Sequence, residues 1–154
     1  MHRMLAVAAL ALTACGPQEP PKEPLVAIAE KFYGAFNAGD KQQFFDLADD
    51  GFTDHMVSPR PDDGGKGGIA FAVEAFKQGY PDLKIVIDRT WQDGETLTVF
   101  TRVTGTNTGP LFGQAPTGKA VSFSTLDVLG IENGRLKNLW HLEQQHQMFQ
   151  QLMQ

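Results

Sequence analysis

Apolar residues recur at helical spacing in the first half of the chain, and this spacing predicts three helices. The first helix begins at Leu25, and Asp40 can cap a short second helix. The third helix runs from about Ile69 and is stopped at Gly79. Residues 52–68, which are rich in Gly and Pro toward their end, are expected to form an irregular loop.

From Leu83 onward the apolar positions alternate, which predicts four strands in two hairpins. The hairpins are indicated by Asp93-Gly94 and Asn133-Gly134, dipeptides that favour two-residue turns. The last residues, 143–154, have the pattern of a polar terminal helix or tail. The predicted strands are residues 83–91, 95–104, 120–131 and 135–142. Helices followed by hairpins indicate an α+β domain in which one curved antiparallel sheet wraps over the N-terminal helices and encloses one pocket.

The turn at Asn133-Gly134 predicts which residues of the last hairpin share a face. With a two-residue turn, Asp127 is opposite Trp140 and Leu129 is opposite Asn138. These positions belong to the more apolar face of the hairpin, which is expected to point inward.

Asp127 would then be a lone carboxylate on an apolar wall. Burial raises the pKa of a carboxyl group, and a general acid or base that works near neutral pH needs such a raised pKa. The alternative is a structural role, in which Asp127 accepts hydrogen bonds from neighbours such as Thr125 or Asn138. The opposite assignment of the two faces would make His141 and Glu143 the pocket residues.

Composition excludes several classes of function. The 154 residues are 42% hydrophobic and 20% charged and include 11 Phe, a balance typical of a globular domain with a substantial core. The net charge of −5 is unfavourable for binding nucleic acid, which is not an expected partner. With one cysteine, an internal disulfide and a cysteine-based zinc site are both excluded.

The N-terminus is typical of an exported protein. Residues 1–14 combine a weakly basic start with an apolar run that is too short to span a membrane, and are predicted to be a signal peptide. The motif Leu12-Thr13-Ala14-Cys15-Gly16 resembles a bacterial lipoprotein site, which implies cleavage before Cys15, a lipid anchor on that residue and attachment to a membrane. The alternative is that Cys15 is an ordinary residue of an apolar leader. Residues 15–24, rich in proline, are predicted to be a tether, and residues 25–154 the folded domain.

A series of short motifs runs through residues 25–152 and resembles the SnoaL-like polyketide cyclases, or ester cyclases, of the nuclear transport factor 2-like superfamily. The resemblance implies a cone-shaped fold around a deep pocket, homodimers formed through the outer face of the sheet, and acid/base chemistry without a metal or other cofactor. The motifs are Phe76 with Tyr80-Pro81-Asp82-Leu83, Asp93-Gly94, Thr104-Gly105-Thr106-Asn107-Thr108-Gly109, Phe112-Gly113, Pro116-Thr117-Gly118-Lys119, Asp127, Asn133-Gly134-Arg135, Trp140 and Gln150-Gln151-Leu152.

The chain also departs from the pattern of that family. Relatives often have His at the position of Asn107 and Glu at the position of Asn138. They commonly have Asp where this chain has His141 and Gln144. The resemblance therefore carries over the fold better than the ring closure that the polyketide enzymes catalyse.

The remaining candidate residues are polar or aromatic. His55 precedes the glycine-rich loop and is a candidate proton shuttle or ligand donor, or else a solvated loop histidine. Asp127 and His55 are the predicted catalytic residues. His141 and Glu143 lack the spacing of a metal site, so no metal is expected. The residues predicted to contact a substrate are Asn138, Trp140, Tyr80, His141 and Glu143.

Two functions remain open from the sequence, both for an exported lipoprotein whose pocket takes a small, mostly apolar molecule. In the first, Asp127 is the acid/base in a proton transfer next to a carbonyl group, with His55 and Asn138 positioning the substrate, as in an ester cyclase or isomerase. In the second, the pocket binds the molecule without chemistry. A fold alone does not decide between them.

Overall fold

The computed structural model describes residues 24–56 and 64–154. The predicted signal peptide, Cys15, all but the last residue of the predicted tether, and residues 57–63 of the predicted loop lie outside this part. The helices are α1 (Leu25–Ala38), α2 (Lys41–Leu47), α3 (Lys66–Gly79) and α4 (Gln145–Met153). The strands are β1 (Ala48–Asp54), β2 (Lys84–Asp93), β3 (Thr96–Thr106), β4 (Ala120–Glu132) and β5 (Arg135–Glu143). Within the described residues, no helix is long and apolar enough to cross a membrane.

The boundary between α1 and α2 is set by two adjacent residues. Gly39 ends α1 in the left-handed conformation, with φ of 72°, and its N–H bonds back to the last turn of the helix. The side chain of Asp40 then accepts hydrogen bonds from the backbone N–H groups of Gln42 and Gln43, at 2.9 and 3.2 Å. The predicted cap at Asp40 is therefore confirmed.

The α+β class is confirmed, but the sheet has five strands and is mixed rather than antiparallel. The strand order is β1-β5-β4-β3-β2, and β1 pairs parallel with β5 at the edge of the sheet. The predicted loop begins later than expected, after Asp54, because Ala48–Asp54 forms this edge strand. Its sequence contains three Asp and a Gly, which are typical of turns, and an edge strand tolerates them since only one of its sides is paired.

Both predicted hairpins are present, and the second has the predicted turn. Asn133 and Gly134 have φ of 51° and 75°, the pair of positive values that a type I′ turn requires. In the first hairpin, Asp93 pairs with Thr96, so the turn lies one residue later than predicted, at Gly94-Glu95.

The predicted register of the last hairpin was wrong beyond its first pairs. Ile131 is opposite Leu136 as predicted, but Gly130 is opposite Asn138, because a bulge places Lys137 as an extra residue in β5. Gly130 makes room for this bulge: a Cβ atom at its position would lie 3.0 Å from the Cβ of Asn138.

The bulge reverses the orientation of the rest of β5. Asp127 is opposite His141, not Trp140, and Val128 is opposite Trp140. The side chain of Asp127 points toward the helices, as predicted, and is 5% exposed. The inner positions of β5 are now Leu139, His141 and Glu143.

The outer face of the sheet, away from the helices, carries a continuous apolar strip. In the register of β3, β4 and β5, Leu126 lies between Phe100 and Leu142, and Val128 is the partner of Trp140. Leu126, Trp140 and Leu142 are 38%, 41% and 62% exposed. These five residues are called the outer strip below.

The core lies between the inner face of the sheet and the helices, in two clusters. The larger one is built around Phe32, Phe44, Leu97 and Leu129. The smaller one contains Tyr80, Leu83, Val103, Leu111, Val121, Phe123 and Met148. A cavity is lined by members of both clusters.

Candidate functional site

The cavity has a volume of about 390 Å³ and a mostly apolar lining. This volume is in the range of small-molecule sites, which combine apolar walls with a few polar groups. The polar residues that line it are Tyr33, Asp54, Thr125, Asp127, His141, Glu143 and Gln145. Six phenylalanines also line it: Phe32, Phe36, Phe76, Phe112, Phe123 and Phe149.

Asp127 is the most deeply buried charged group of the cavity, and only one of its oxygens is occupied by the described residues. Its Oδ2 accepts a hydrogen bond of 2.6 Å from the hydroxyl of Tyr33 and one of 2.9 Å from the hydroxyl of Thr125. The hydroxyl of Thr125 is itself 2.8 Å from that of Thr101. Oδ1 accepts no hydrogen bond from a described residue, so it is the oxygen available to a molecule in the cavity.

The environment of Asp127 moves its pKa toward neutrality. Burial raises the pKa, the hydrogen bonds from Tyr33 and Thr125 lower it, and the net result is a pKa of about 6. The nearby charge of Glu143 adds to the increase, whereas that of His141 acts against it. Burial and the charge of Asp127 raise the pKa of Tyr33, which keeps its proton and remains a donor.

His141 lies across the hairpin from Asp127 and is held between two carboxylates. Its Nδ1 is 2.5 Å from Glu143 Oε1, and its Nε2 is 3.1 Å from Asp54 Oδ2. Burial acts to lower the pKa of His141, but the hydrogen bonds and charges of Asp54 and Glu143 outweigh it and raise the pKa to about 10. The bond to His141 in turn lowers the pKa of Glu143 against the effect of burial. This His141 cluster, Asp54–His141–Glu143, therefore contains a doubly protonated imidazolium at neutral pH.

The edge strand β1 brings Asp54 to the cluster. Asp54 is the last residue of β1 and pairs with Leu139 of β5. Its backbone N–H donates to the carbonyl of Gly64, and its Oδ1 accepts from the N–H of Met56, at 2.9 and 3.0 Å. Because Asp54 and His141 are far apart in the chain, no local pattern in the sequence predicts their contact.

Three predicted site residues lie together on the outer side of the sheet instead of in the cavity. The rings of His55 and Trp140 stack with their centroids 4.2 Å apart, and Nε2 of His55 is 2.9 Å from Oδ1 of Asn138. None of the three lines the cavity. Alternation along β1 sends Asp54 inward and His55 outward, and the bulge in β5 turns Asn138 and Trp140 outward.

Tyr80, a fourth predicted contact residue, is fully buried in the smaller core cluster and does not line the cavity. Its hydroxyl finds no hydrogen-bond partner among the described residues. Burial raises its pKa to about 12. The position of Tyr80 is explained by packing, since its ring stacks on that of Phe76.

Tyr33 and Asp54 are the functional candidates that the sequence patterns missed. Tyr33 occupies a helical position that is otherwise apolar, where a phenol is expected to pack in the core. A buried tyrosine hydroxyl usually needs a partner, and this was the available signal that a polar group faces α1.

The described residues contain no group of three or more His, Cys, Asp or Glu side chains arranged to hold a metal ion. In the His141 cluster, both imidazole nitrogens are engaged by carboxylates. A metal ligand would need one of them free and unprotonated.

A curved sheet folded over helices around such a cavity is the cone fold of the nuclear transport factor 2-like proteins. Comparison with known families agrees with this class: the SnoaL-like polyketide cyclase family matches residues 27–152. The chain belongs to this family.

Solved structures with the same fold include TsrD from Streptomyces laurentii, with a TM-score of 0.73 and 22% identity over 83% of this chain and 93% of TsrD. A candidate polyketide cyclase from Bacillus cereus has a TM-score of 0.72 and 26% identity, over 84% of this chain and 80% of that chain. IdmH, a candidate polyketide cyclase from Streptomyces antibioticus, has a TM-score of 0.72 and 20% identity, over 84% of this chain and 98% of that chain. A comparison with curated proteins finds no significant match.

Proposed function

We propose that this protein binds a small, mostly apolar molecule in the cavity and moves a proton next to a carbonyl group of that molecule, as an ester cyclase or an isomerase does. The observation that carries the proposal is the state of Asp127. Its carboxylate is buried in an apolar cavity, with Oδ2 held by Tyr33 and Thr125 and Oδ1 left for a ligand.

In the proposed step, Oδ1 of Asp127 takes a proton from the carbon next to the carbonyl. The C–H bond breaks, an O–H bond forms on Asp127, and the electron pair of the C–H bond passes into an enolate. Asp127 then gives a proton back to a carbon of the enolate, and in heavy water a deuteron that has replaced this proton is delivered instead. A pKa of about 6 suits both directions, because the group is mostly ionised at neutral pH and yet a stronger base than an ordinary carboxylate.

His141 supports the enolate through its charge and not by donating a proton. Both of its N–H groups are committed to Asp54 and Glu143, so it is not free to shuttle protons. As a fixed cation across the hairpin from Asp127, it offsets part of the negative charge that develops on the enolate during the step. The step requires no metal or other cofactor.

A second candidate, binding without chemistry, is favoured by the state of the donors around the cavity. The hydroxyls of Tyr33 and Thr125 donate to Asp127, and the amide of Gln145 donates to Glu143 at 3.3 Å. An enolate oxygen would therefore have to displace one of the two hydroxyl bonds, or else reach the second N–H of the Gln145 amide. The lack of a free hydroxyl donor is unfavourable for stabilising an enolate, but it does not affect the binding of an apolar molecule.

Hydrogen exchange in heavy water tests the proton transfer without knowledge of the natural substrate. The probe is 4-phenylbutan-2-one, an apolar ketone, whose loss of α-hydrogen signals is followed by ¹H NMR. The wild type should accelerate the exchange, and Asp127→Asn should reduce that acceleration by about 10²–10⁴-fold. Glu132→Gln, which alters an exposed carboxylate on the same strand, is the matched control and should have no effect.

The result also separates the two candidates. If the ketone binds but its exchange is not accelerated, the proton transfer does not occur on this probe, and the second candidate, binding without chemistry, is favoured. Exchange that persists unchanged in Asp127→Asn would refute the role of Asp127.

We also propose that the protein is exported and held at a membrane through a lipid on Cys15. The support is the motif Leu12-Thr13-Ala14-Cys15-Gly16 and the proline-rich residues that follow it. A second copy of the chain is the proposed partner for the outer strip, since exposed apolar area of this kind is typical of an interface.

A further inference from the structure

The lining of the cavity carries more negative than positive charge. Among the described residues that form it, Asp54, Asp127 and Glu143 are carboxylates, His141 is the one cationic side chain, and none is Lys or Arg. The charge of His141 is already shared between Asp54 and Glu143, which bond to its two nitrogens.

Asp127 is consequently left without a cationic hydrogen-bond partner among the described residues. Its two partners, Tyr33 and Thr125, are neutral hydroxyls, and both bind Oδ2. A buried carboxylate without a cationic partner is energetically costly. A ligand that brings a positive charge to Oδ1 would remove this cost and form a charge-assisted hydrogen bond.

The apolar part of the cavity suits the same kind of ligand. Six phenylalanines line it, and aromatic rings attract cations as well as apolar groups. An anionic ligand would meet three carboxylates in an enclosed space, where charge repulsion is poorly screened.

From the free Oδ1 of a buried Asp127, the excess of carboxylates and the phenylalanine lining, we infer that the cavity selects a small apolar molecule that carries a protonated amine. The inference rests on the proposed function, which makes this cavity the ligand site, and adds the charge of the ligand. An ammonium group on Oδ1 occupies the oxygen that the proposed proton transfer uses, so the inference agrees with the second candidate, binding without chemistry.

Three probes with the same phenylbutyl body test the inference: 4-phenylbutylamine, 4-phenylbutan-1-ol and 4-phenylbutanoate. Their affinities are measured by titration near neutral pH, with ¹⁵N-labelled protein to locate binding through shifts at Phe123 and Asp127. The amine should bind about tenfold or more tightly than the neutral alcohol, and the carboxylate should bind most weakly.

Variants then assign the selectivity to the cavity. Asp127→Asn should bring the affinity for the amine down to that for the alcohol and leave the affinity for the alcohol unchanged. Glu132→Gln removes an equal charge from an exposed position of the same strand and should leave both affinities as they are.

The outcomes distinguish this inference from the proposed function. Equal binding of the alcohol and the amine, or preferred binding of the carboxylate, would overturn the inference and leave the proposed apolar ligand site standing. If none of the three probes binds in the cavity, both the inference and the proposed ligand site fail.

Discussion

Asp127 and His141 are direct partners across β4 and β5, and both side chains line the same cavity. Their environments shift their protonation in different ways. Burial gives the Asp127 carboxyl a pKa of about 6. Asp54 and Glu143, the two carboxylates bonded to His141, raise the pKa of His141 to about 10 and keep it charged. One group is thus ready to exchange a proton near neutral pH, and the other is a fixed cation.

The raised pKa of Asp127 predicts that Asp127→Asn gains stability relative to the wild type as the pH rises. The folded state holds the proton of Asp127 up to about pH 6, whereas the unfolded chain releases it near 3.8. As the pH rises from 3.8 to about 6, the wild type therefore loses ~3 kcal/mol of folding stability through the ionisation of Asp127. The variant has no ionisable group there and does not lose it. Urea unfolding of both proteins across that pH range measures the difference.

The control for this experiment is Glu132→Gln, at an exposed position of the same strand. Its difference from the wild type should change little with pH. A difference between Asp127→Asn and the wild type that stays constant, or that turns against the variant as the pH rises, would refute the raised pKa.

The His141 cluster predicts the same direction of pH dependence over a different range. The pKa of His141 is raised from 6.5 to about 10, so its contribution to stability is complete below 6.5 and is lost as the pH rises toward 10. His141→Gln should lower the free energy of unfolding near neutral pH by about 2–4 kcal/mol. This loss is smaller than that for breaking a fully buried ion pair, because the side chain of His141 is 22% exposed.

The exposed His146 of α4 supplies the control, and His146→Gln should leave the stability unchanged. Thermal unfolding of the three proteins at several pH values gives the comparison. If His141→Gln were as stable as the wild type at neutral pH, Asp54 and Glu143 could not be holding an imidazolium between them.

Local patterns in the sequence were sufficient for most of the secondary structure. Asp40 and Gly39 set a helix boundary through their own side-chain and backbone preferences, and Asn133-Gly134 set a turn in the same way. The inward position of Asp127 followed from the period of two, because no bulge interrupts β4 between the turn and this residue in the pairing with β3.

The parts that could not be predicted depend on contacts between distant residues. One extra residue, Lys137, reverses the faces of β5, and its side chain is held at 2.7 Å by Asp49 of the edge strand. The same strand supplies Asp54 to His141. Without knowledge of that bulge and that parallel pairing, the sequence could not place His55 and Trp140 outside the cavity or Asp54 at it.

We expect the outer strip to form the interface of a homodimer, which one charged side chain introduced into the strip should disrupt. Leu142 is 62% exposed in the strip, beside Leu126. Leu142→Lys would bury an unpaired ammonium group in the interface and should weaken the dimer by about tenfold or more. Light scattering with size-exclusion chromatography measures the mass over a dilution series.

Val26, an exposed apolar residue of α1, provides the matched control. Val26→Lys adds the same charge away from the sheet and should leave the dimer intact. A wild type that is monomeric at all concentrations, or a dimer that tolerates Leu142→Lys, would contradict a second copy as the partner of the outer strip.

The motif at Cys15 predicts that the chain is anchored by lipid. Cys15→Ser removes the thiol that would carry the lipid, so the protein should lose its acyl chains and move from the membrane fraction to the soluble fraction. Mass spectrometry of the N-terminal peptide and fractionation of cells measure the two effects. Pro17→Ala, in the residues that follow the motif, leaves the thiol in place and should remain with the membrane. Membrane attachment that survives in Cys15→Ser would mean that the anchor is not a lipid on this residue.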